Sequence, residues 1–264
     1  MLVNSPVNQS YAHVIKTRVF ILACSIKHGN YCVAGLRLAN EGSGNNSFEL
    51  IRLVTDDQNT DGAVSPDLLL KDGRTAGLFD SVEFYLKPAP SLIQPENYLI
   101  QSPCDTQPVH LLNLKKVYEY SYNEKSLLLT GIAHNVMHSD YIFYNNDKYI
   151  APEVLNQQLD KHSLEIRFIN RVELYINSNN RTRARFVYKN RVYSSISVTD
   201  PFYFNLPYNQ TVAINNCLAL FSIGQPFIVD GMHYKFLACI IPIENIAPLF
   251  SPLFDNFIKM ISCD

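Results

Sequence analysis

The chain has 264 residues, of which 47% are hydrophobic, and this excludes a disordered chain and suffices for one or two packed cores. Its 22 basic and 24 acidic residues leave a net charge of −2, which excludes the strong overall positive field of a protein that coats nucleic acid nonspecifically. The 16 Tyr and 15 Phe residues favour β-strands, because flat rings pack well on a pleated, half-buried surface.

The first half of the chain is rich in strand candidates. Residues 1–11 are polar and predict a flexible arm. Apolar runs at 19–23 and 31–36 flank His28-Gly29-Asn30, where Gly-Asn favours a tight hairpin turn. Residues 48–54 and the alternating segment 81–86 predict two further strands. Short helices are expected after Pro66, over residues 109–122 and from Pro152, where proline can occupy the first helical turn.

The β pattern returns from Ser163. Strand candidates follow at 164–168, 172–176, 183–188, 191–198, 218–222 and 234–241. Lys189-Asn190 predicts a turn between the third and the fourth of them. The C-terminal stretch has helical periodicity, but Pro248 and Pro252 exclude one helix through all of it. A helix that begins with Ser251 as N-cap and Pro252 at its first position fits both prolines. Its apolar stripe is expected to plug a barrel or pack between domains, the alternative being an oligomer contact.

Short strands separated by frequent turns are typical of barrels or sandwiches. About five strand candidates in each half match the number that an OB barrel requires. We therefore predict a mostly β fold of two OB-like β-barrels with a short partly helical connection and a C-terminal helix. The expected divisions are a flexible arm at 1–17, a first barrel at 18–110, the connection at 111–162, and a second barrel with the C-terminal helix at 163–264.

The N-terminal segment lacks a basic start followed by an apolar stretch, so no secretory signal is expected. No apolar run has the length of a membrane span. The six cysteines are irregularly spaced, and Cys239 lies in an apolar run where a reduced thiol packs as a small hydrophobe. These features predict a cytoplasmic protein with reduced thiols and no membrane contact.

Several segments resemble the bacterial dual OB-containing domain family. Within the first hairpin, six residues match the opening of the family: Ser25, Lys27, Gly29, Cys32, Ala34 and Gly35. Further similarity, in the same order along the chain, lies at 50–54, 94–98, 198–201, 222–227 and 234–235. Cys24, Ile26, Leu50 and Leu53 depart from the residues that the family favours. The resemblance implies nucleic-acid or nucleotide binding in a defence or mobile-element setting.

Two groups of basic residues are candidate nucleic-acid contacts. Lys27 in the first hairpin and Arg52 on a neighbouring strand would contact phosphates, with Tyr31 as a stacking surface. The alternative is an ordinary solvated turn, with Arg52 paired to Glu49 or Asp80.

The second group surrounds the predicted strand at 183–188. Arg183 and Arg185 alternate with Ala184 and Phe186, so both arginines are expected on one face. The wider cluster also contains Arg167, Arg171 and Lys189. Aromatic residues interleave it, as in a platform for single strands, namely Phe168, Tyr175, Phe186, Tyr188 and Tyr193. The alternative is a solvated outer face with Phe186 in the core. The candidate residues of this group are Arg181, Arg183, Arg185, Tyr188 and Arg191.

The sequence carries no phosphate-binding loop, nucleophile elbow or zinc-protease motif, so we expect no enzyme and no cofactor. The spacing of Cys24, His28 and Cys32 is poor for a metal site on a hairpin, and no metal is expected. The leading hypothesis is a binder of single-stranded nucleic acid or a nucleotide-like ligand. The rival is a protein-interaction subunit that meets an acidic partner with the same basic and aromatic face.

Overall fold

The computed structural model describes residues 13–27, 29–39, 47–65, 77–101, 122–136, 148–156, 162–207, 209–250 and 253–261. Within these residues the fold is mostly β, as predicted, and it consists of two barrels with a few short helices.

The first barrel is closed by five strands in the spatial order β1-β2-β3-β5-β4, with β4 returning to β1. The pair β3–β5 is parallel and every other pair is antiparallel. The strands are β1 Ile15–Lys27, β2 Asn30–Ala39, β3 Ser47–Val54, β4 Ser81–Pro88 and β5 Asn97–Ile100.

The second barrel repeats this arrangement. Its spatial order is β7-β8-β9-β11-β10, and β10 returns to β7, while β6 adds to the edge of β11. The pair β9–β11 is parallel, so the third and fifth strands pair in parallel in both barrels. This shared order is the OB topology. The strands are β6 Tyr149–Ile150, β7 Leu164–Ile176, β8 Thr182–Tyr188, β9 Arg191–Val198, β10 Thr211–Pro226 and β11 His233–Pro242.

The run at residues 19–23 is apolar throughout because β1 is buried on both faces. Val19 and Ile21 belong to the cluster inside the first barrel. Phe20 and Leu22 belong to a second cluster, between the barrels, which also contains Leu220 of β10. One strand therefore contributes to the barrel interior and to the contact between the barrels.

Four short helices accompany the barrels in the described residues: α1 Tyr122–Asn135, α2 Pro152–Asn156, α3 Ile243–Phe250 and α4 Phe254–Ile261. Leu128 and Ile132 of α1 and Phe257 and Ile261 of α4 are buried in the cluster between the barrels. The C-terminal helix thus packs between the domains, as its apolar stripe predicted.

Two predicted tight turns occur with the expected backbone. Gly29 connects β1 to β2 with φ of 78°, a conformation that glycine adopts without strain. Lys189 and Asn190 connect β8 to β9 with φ of 46° and 60°, as in the type I′ turn that suits a right-twisted hairpin.

Other boundaries differ from the predictions. The segments 164–168 and 172–176 form one continuous strand, β7, whose residues 169–171 pair with β10 or lie beside it. Residues 97–100 form the short strand β5, which was not among the predicted strands. The C-terminal stretch forms two separate helices, as the two prolines predicted, although α3 itself includes Pro248. The predictions that concern residues 66–68, 109–121, Ser251 and Pro252 lie outside the described residues.

Candidate functional site

The outer surface of β2 and β3 in the first barrel is covered. In an OB barrel, the surface of the second and third strands, together with the loops beside it, is the usual ligand-binding surface. Here Leu36 and Leu38 of β2 and Phe48 of β3 are buried in the cluster between the barrels. The helix α1 lies so close that a Cβ at Gly131 would come within 2.7 Å of the Phe48 ring. The part of this surface formed by Leu36, Leu38 and Phe48 is therefore unavailable to a ligand.

The equivalent surface of the second barrel, on β8 and β9, is open. Ala184 and Phe186 of β8 are buried inside the barrel, so the alternate residues point outward. Arg185 is exposed and Arg183 is half-buried. Val187 and its cross-strand partner Val192 are 58% and 57% exposed. We call the outer surface of β7, β8 and β9 the basic face.

Three charged residues form a cluster on the basic face. Glu173 of β7 lies opposite Arg185 of β8, and its carboxylate accepts a hydrogen bond from the Arg185 Nη2 at 2.7 Å. The same carboxylate lies 3.1 Å from the Arg171 Nη2. These hydrogen bonds hold the pKa of Glu173 below its usual value. One carboxylate thus binds two arginines and partly neutralises them.

Arg183 is more restrained than Arg185. Its Nη1 donates to the Thr182 carbonyl at 3.0 Å. Burial of the guanidinium lowers the pKa of Arg183 from its usual value, and the positive charge of Arg181 acts in the same direction. Two cations therefore lie close together where β8 begins, in an arrangement that an anion would stabilise.

Tyr175 is the aromatic residue of β7 on this face, and it alternates with the buried Leu174. It pairs with Arg183, and its half-buried side chain reaches across to β9, where the hydroxyl donates to the Ser194 carbonyl. The β8–β9 register shifts between Ala184 and Phe186, and this irregularity lies beside the Ser194 carbonyl. A bulge of this kind re-aims neighbouring groups in a sheet. The tyrosine ring therefore lies among the arginines.

The other aromatic residues of the predicted platform lie in or against the cores. Phe186 and Tyr193 are each 3% exposed and stack on one another inside the barrel, with centroids 5.3 Å apart. Phe168 packs against the cluster between the barrels. The ring of Tyr188 is half-buried, with the Arg167 guanidinium 5.5 Å from its centroid. Phe186 therefore lies in the core, whereas Arg183 and Arg185 keep the outward positions that both interpretations of the sequence expected.

Positive charge continues beyond the far end of β8. Lys189 in the turn lies with its Nζ 5.7 Å from the Tyr188 centroid, and the Arg191 guanidinium lies 5.3 Å from the Tyr193 centroid. The row of positive charges from Arg181 to Lys189 spans about 26 Å, because each residue of a strand advances the chain by about 3.3 Å. The surface includes a cleft of about 960 Å³, whose lining contains Arg171, Glu173, Arg185, Val187, Lys189 and Val192.

Lys27, Tyr31 and Arg52 do not form one exposed face. The Lys27 Nζ binds the Asp61 carboxylate at 2.5 Å and the Asp61 carbonyl at 2.8 Å. Tyr31 pairs through its backbone with Val64 and packs against the core of the first barrel. Arg52 is only 6% exposed and donates to Ser163 at the start of the second barrel. These three residues thus lie apart from the arginines of β8.

The contribution of β7 to the basic face was missed at the sequence level. Glu173 was not proposed, and Arg171 and Tyr175 were recognised only as members of a composition cluster. Their alternation with Val172 and Leu174, both buried in the barrel, is the pattern that places them on one outer surface.

Within the described part of the chain, no group of three or more His, Cys, Asp or Glu residues is arranged to hold a metal ion. Burial raises the pKa of the Cys24 thiol to about 12 and also raises that of Cys32, so both thiols stay protonated at neutral pH. His28, which lies between these two cysteines in the sequence, is outside the described residues. Among the described helices, none has the length and apolarity needed to cross a membrane.

Comparison with known proteins identifies the family. None of the curated proteins matches the chain. A family model described as the dual OB-containing domain matches residues 17–240, which include the strands of both barrels except the first residues of β1 and the end of β11. The match covers most of the chain and agrees with the repeated strand order. The chain therefore belongs to the dual OB-containing domain family.

Proposed function

We propose that this protein binds single-stranded nucleic acid on the basic face of its second barrel. The observation that carries the proposal is the contrast between the two barrels: the β2–β3 surface around Leu36, Leu38 and Phe48 is buried, whereas the β8–β9 surface is open and cationic. Among the residues that the structure describes on the basic face, five cations lie against one carboxylate, Glu173, and the cations are Arg171, Arg181, Arg183, Arg185 and Lys189.

Contacts to the phosphate backbone are expected to supply most of the affinity. Arginine binds phosphate with a planar fork of donors, and a row of cations along one strand follows an extended backbone. Binding should then weaken steeply with salt and depend little on base sequence. This local patch accounts for nucleic-acid affinity in a chain whose net charge is −2.

Bases are expected to contact the face through Tyr175 and the two exposed valines. Tyr175 offers the partly accessible ring among the residues described above, and Val187 and Val192 form an apolar pair beside Arg185. Stacking on one ring contributes about 1–3 kcal/mol per base. Because Phe186 and Tyr193 are inside the barrel, stacking is a smaller part of this proposal than phosphate contact.

A second candidate function is a protein-interaction subunit with an acidic partner. The exposure of Val187 and Val192 favours it, since paired apolar side chains surrounded by arginines are typical of a protein interface. This alternative predicts a protein that stays bound in native lysate after nuclease treatment and that competes with oligonucleotide for the basic face. Either role is a binding function, and the cytoplasmic and defence settings inferred from the sequence stay predictions.

The test is a double charge reversal, Arg183→Glu with Arg185→Glu, assayed by fluorescence anisotropy with labelled single-stranded DNA and RNA. We expect affinity to fall at least about tenfold, because each reversal removes a phosphate contact and adds repulsion. The charge-matched control is Lys16→Glu with Lys87→Glu, two exposed lysines of the first barrel. Unchanged binding in the Arg183/Arg185 variant, with an unchanged melting temperature, would remove the basic face from the proposal.

A further inference from the structure

A second cavity, of about 440 Å³, lies between the two barrels and shares no lining residue with the cleft on the basic face. Small side chains on both walls leave this space open. The first barrel contributes Ala23 and Ala34, and the second contributes Ser222, Gly224 and Ala238. The cavity has the size of ordinary small-molecule sites, which range from about 300 to 1,000 Å³. We call it the interbarrel cleft.

The charged groups of the interbarrel cleft already have partners. The ammonium of Lys27 binds Asp61, at 2.5 Å. The guanidinium of Arg52 donates to Ser163 Oγ at 2.9 Å and to Asn97 Oδ1 at 3.3 Å, and the Glu96 carboxylate accepts a hydrogen bond from Ser163 Oγ at 2.9 Å. Each cation is thus balanced by a carboxylate nearby. Such a cleft favours a neutral ligand over an anion, because an anion would have to displace these contacts.

Two amide side chains meet where the barrels approach each other. Gln225 of β10 donates from Nε2 to the Gln94 Oε1 at 2.8 Å, and Gln94 in turn donates to the Ile223 carbonyl at 3.1 Å. Gln225 is exposed, so its carbonyl oxygen and second N–H face the cleft mouth or solvent. An amide presents a donor and an acceptor in one plane, the pattern that reads the edge of a base.

Aromatic rings form the wall contributed by the second barrel. Phe236 lies against Gly224, where an added Cβ would approach its ring at 2.8 Å. Tyr234 and Phe227 meet edge-to-face, with centroids 5.8 Å apart. Phe227 is 50% exposed and Ile228 is 96% exposed in the loop that joins β10 to β11, which is one of the ligand-binding loops of OB barrels. A ligand with a flat ring would bury the exposed apolar surfaces of Phe227 and Ile228.

Segments that resemble the family but play no part in the basic face meet at this cleft. Six such segments are separated along the chain, yet one or more residues of each line the cleft, among them Lys27, Arg52, Gln94, Thr199, Gln225 and Tyr234. From these observations, we propose that the interbarrel cleft binds a neutral, flat heterocycle of nucleobase or nucleoside size. The proposal concerns a site separate from the basic face and does not depend on oligonucleotide binding there.

Isothermal titration calorimetry with adenosine, uridine, adenosine monophosphate and indole tests the chemistry of the ligand. We expect a nucleoside to bind, the monophosphate to bind no more than about twofold tighter than adenosine, and indole to bind at least about tenfold more weakly. No heat from either nucleoside at its solubility limit would overturn the proposal. So would a monophosphate that binds at least about tenfold tighter than adenosine, or indole that equals adenosine.

Variants then locate the site. Ser222→Phe fills the cleft from β10 and is expected to abolish nucleoside binding, whereas Ser222→Ala removes only a hydroxyl and is expected to retain it. Gln225→Leu changes an exposed residue, so it keeps the fold, and it should weaken nucleoside binding at least about tenfold by removing the amide. Full nucleoside affinity in Ser222→Phe or Gln225→Leu would contradict the assignment. Oligonucleotide anisotropy should be the same in all three variants, which separates this test from that of the basic face.

Discussion

The guanidinium of Arg52, on the third strand of the first barrel, donates a hydrogen bond of 2.9 Å to the hydroxyl of Ser163, just before the second barrel begins. The backbone N–H of Ser163 in turn donates to the Glu96 carboxylate, which also accepts from the Leu164 N–H at 3.1 Å. Residues 111 positions apart are therefore joined by a buried charged network. This network contributes to holding the two barrels together.

Removing the cation should destabilise the protein strongly. In Arg52→Met, the apolar stem is retained while Glu96 keeps its charge at the junction without the nearby guanidinium. We expect a loss of roughly 2–4 kcal/mol in the free energy of unfolding, measured by urea denaturation. The control Lys16→Met breaks the ion pair between the exposed Lys16 and the half-buried Glu83 at the barrel surface, and should cost at most about 1 kcal/mol. Equal losses in the two variants would show that the Arg52 network adds nothing beyond a surface pair.

Gly131 should resist replacement even by the best helix-forming residue. Alanine in a helix gains about 1 kcal/mol over glycine, but here its Cβ would lie 2.7 Å from the Phe48 ring. Overpacking of this kind costs about 1–3 kcal/mol, so we expect Gly131→Ala to lower the melting temperature. Thr130→Ala, at the exposed neighbouring position of α1, should leave it unchanged or raise it slightly. A higher melting temperature for Gly131→Ala would mean that α1 does not approach β3 as described.

Glu173→Gln should strengthen nucleic-acid binding. The substitution removes the one carboxylate that binds Arg171 and Arg185, and both arginines then become available to phosphate. We expect several-fold tighter binding of single strands, together with a steeper dependence on salt. Glu83→Gln, which removes the carboxylate partner of Lys16 in the first barrel, is the matched control and should have no effect. Weaker binding in Glu173→Gln would mean that the phosphates do not bind at Arg171 and Arg185.

Asp200 should make the folded protein less stable as pH rises, whereas most carboxylates have the opposite effect. Its carboxylate accepts hydrogen bonds from the Ile240 N–H at 2.7 Å and the Phe202 N–H at 2.9 Å, but burial dominates and raises the pKa of Asp200 above 3.8. The folded state therefore binds this proton more tightly than the unfolded state. The stability that it contributes is fully present below pH 3.8 and is lost as pH rises through the higher folded pKa.

The comparison of wild type with Asp200→Asn measures this contribution. Urea denaturation from about pH 3.5 to about pH 7 should show a free energy of unfolding that falls relative to that of the variant as pH rises. The other carboxylates titrate equally in both proteins, so they cancel in the difference. A difference that grows in favour of wild type with pH would mean that the hydrogen bonds outweigh burial and that the folded pKa is lowered.

Much of the fold could be predicted from local patterns. The turn Lys189-Asn190 between alternating strands, for example, predicted the hairpin β8–β9 directly. The alternation of Arg183 and Arg185 with Ala184 and Phe186 also predicted that both arginines face outward, which the burial of the alternate pair shows. The strand count in each half predicted two barrels, but the strand order and the parallel pairing that they share could be seen only in the structure.

The site was harder to predict because burial depends on partners distant in the chain. The sequence around Arg52 predicts a strand on which this charged residue is exposed. Only the packing of the second barrel, at Ser163, buries it. The sequence places Tyr193 near Arg191, where its ring would be expected to stack on a base. In the structure the ring packs against Phe186 inside the barrel. The helix α1 was missed since neither its length nor its apolar pattern stands out, and its position depends on the contact of Gly131 with Phe48.

The most direct test of the central claim is the salt dependence of binding by the unmodified protein. Anisotropy with labelled single-stranded DNA, single-stranded RNA and duplex would be measured at about 50 mM and about 200 mM salt. If all five cations of the basic face contact phosphates, the slope for a single strand is about −3.5, that is, five times −0.7, and affinity falls roughly 100-fold. We expect this loss and a preference for single strands. Binding to none of the three at the lower salt, or a preference for duplex, would contradict the account.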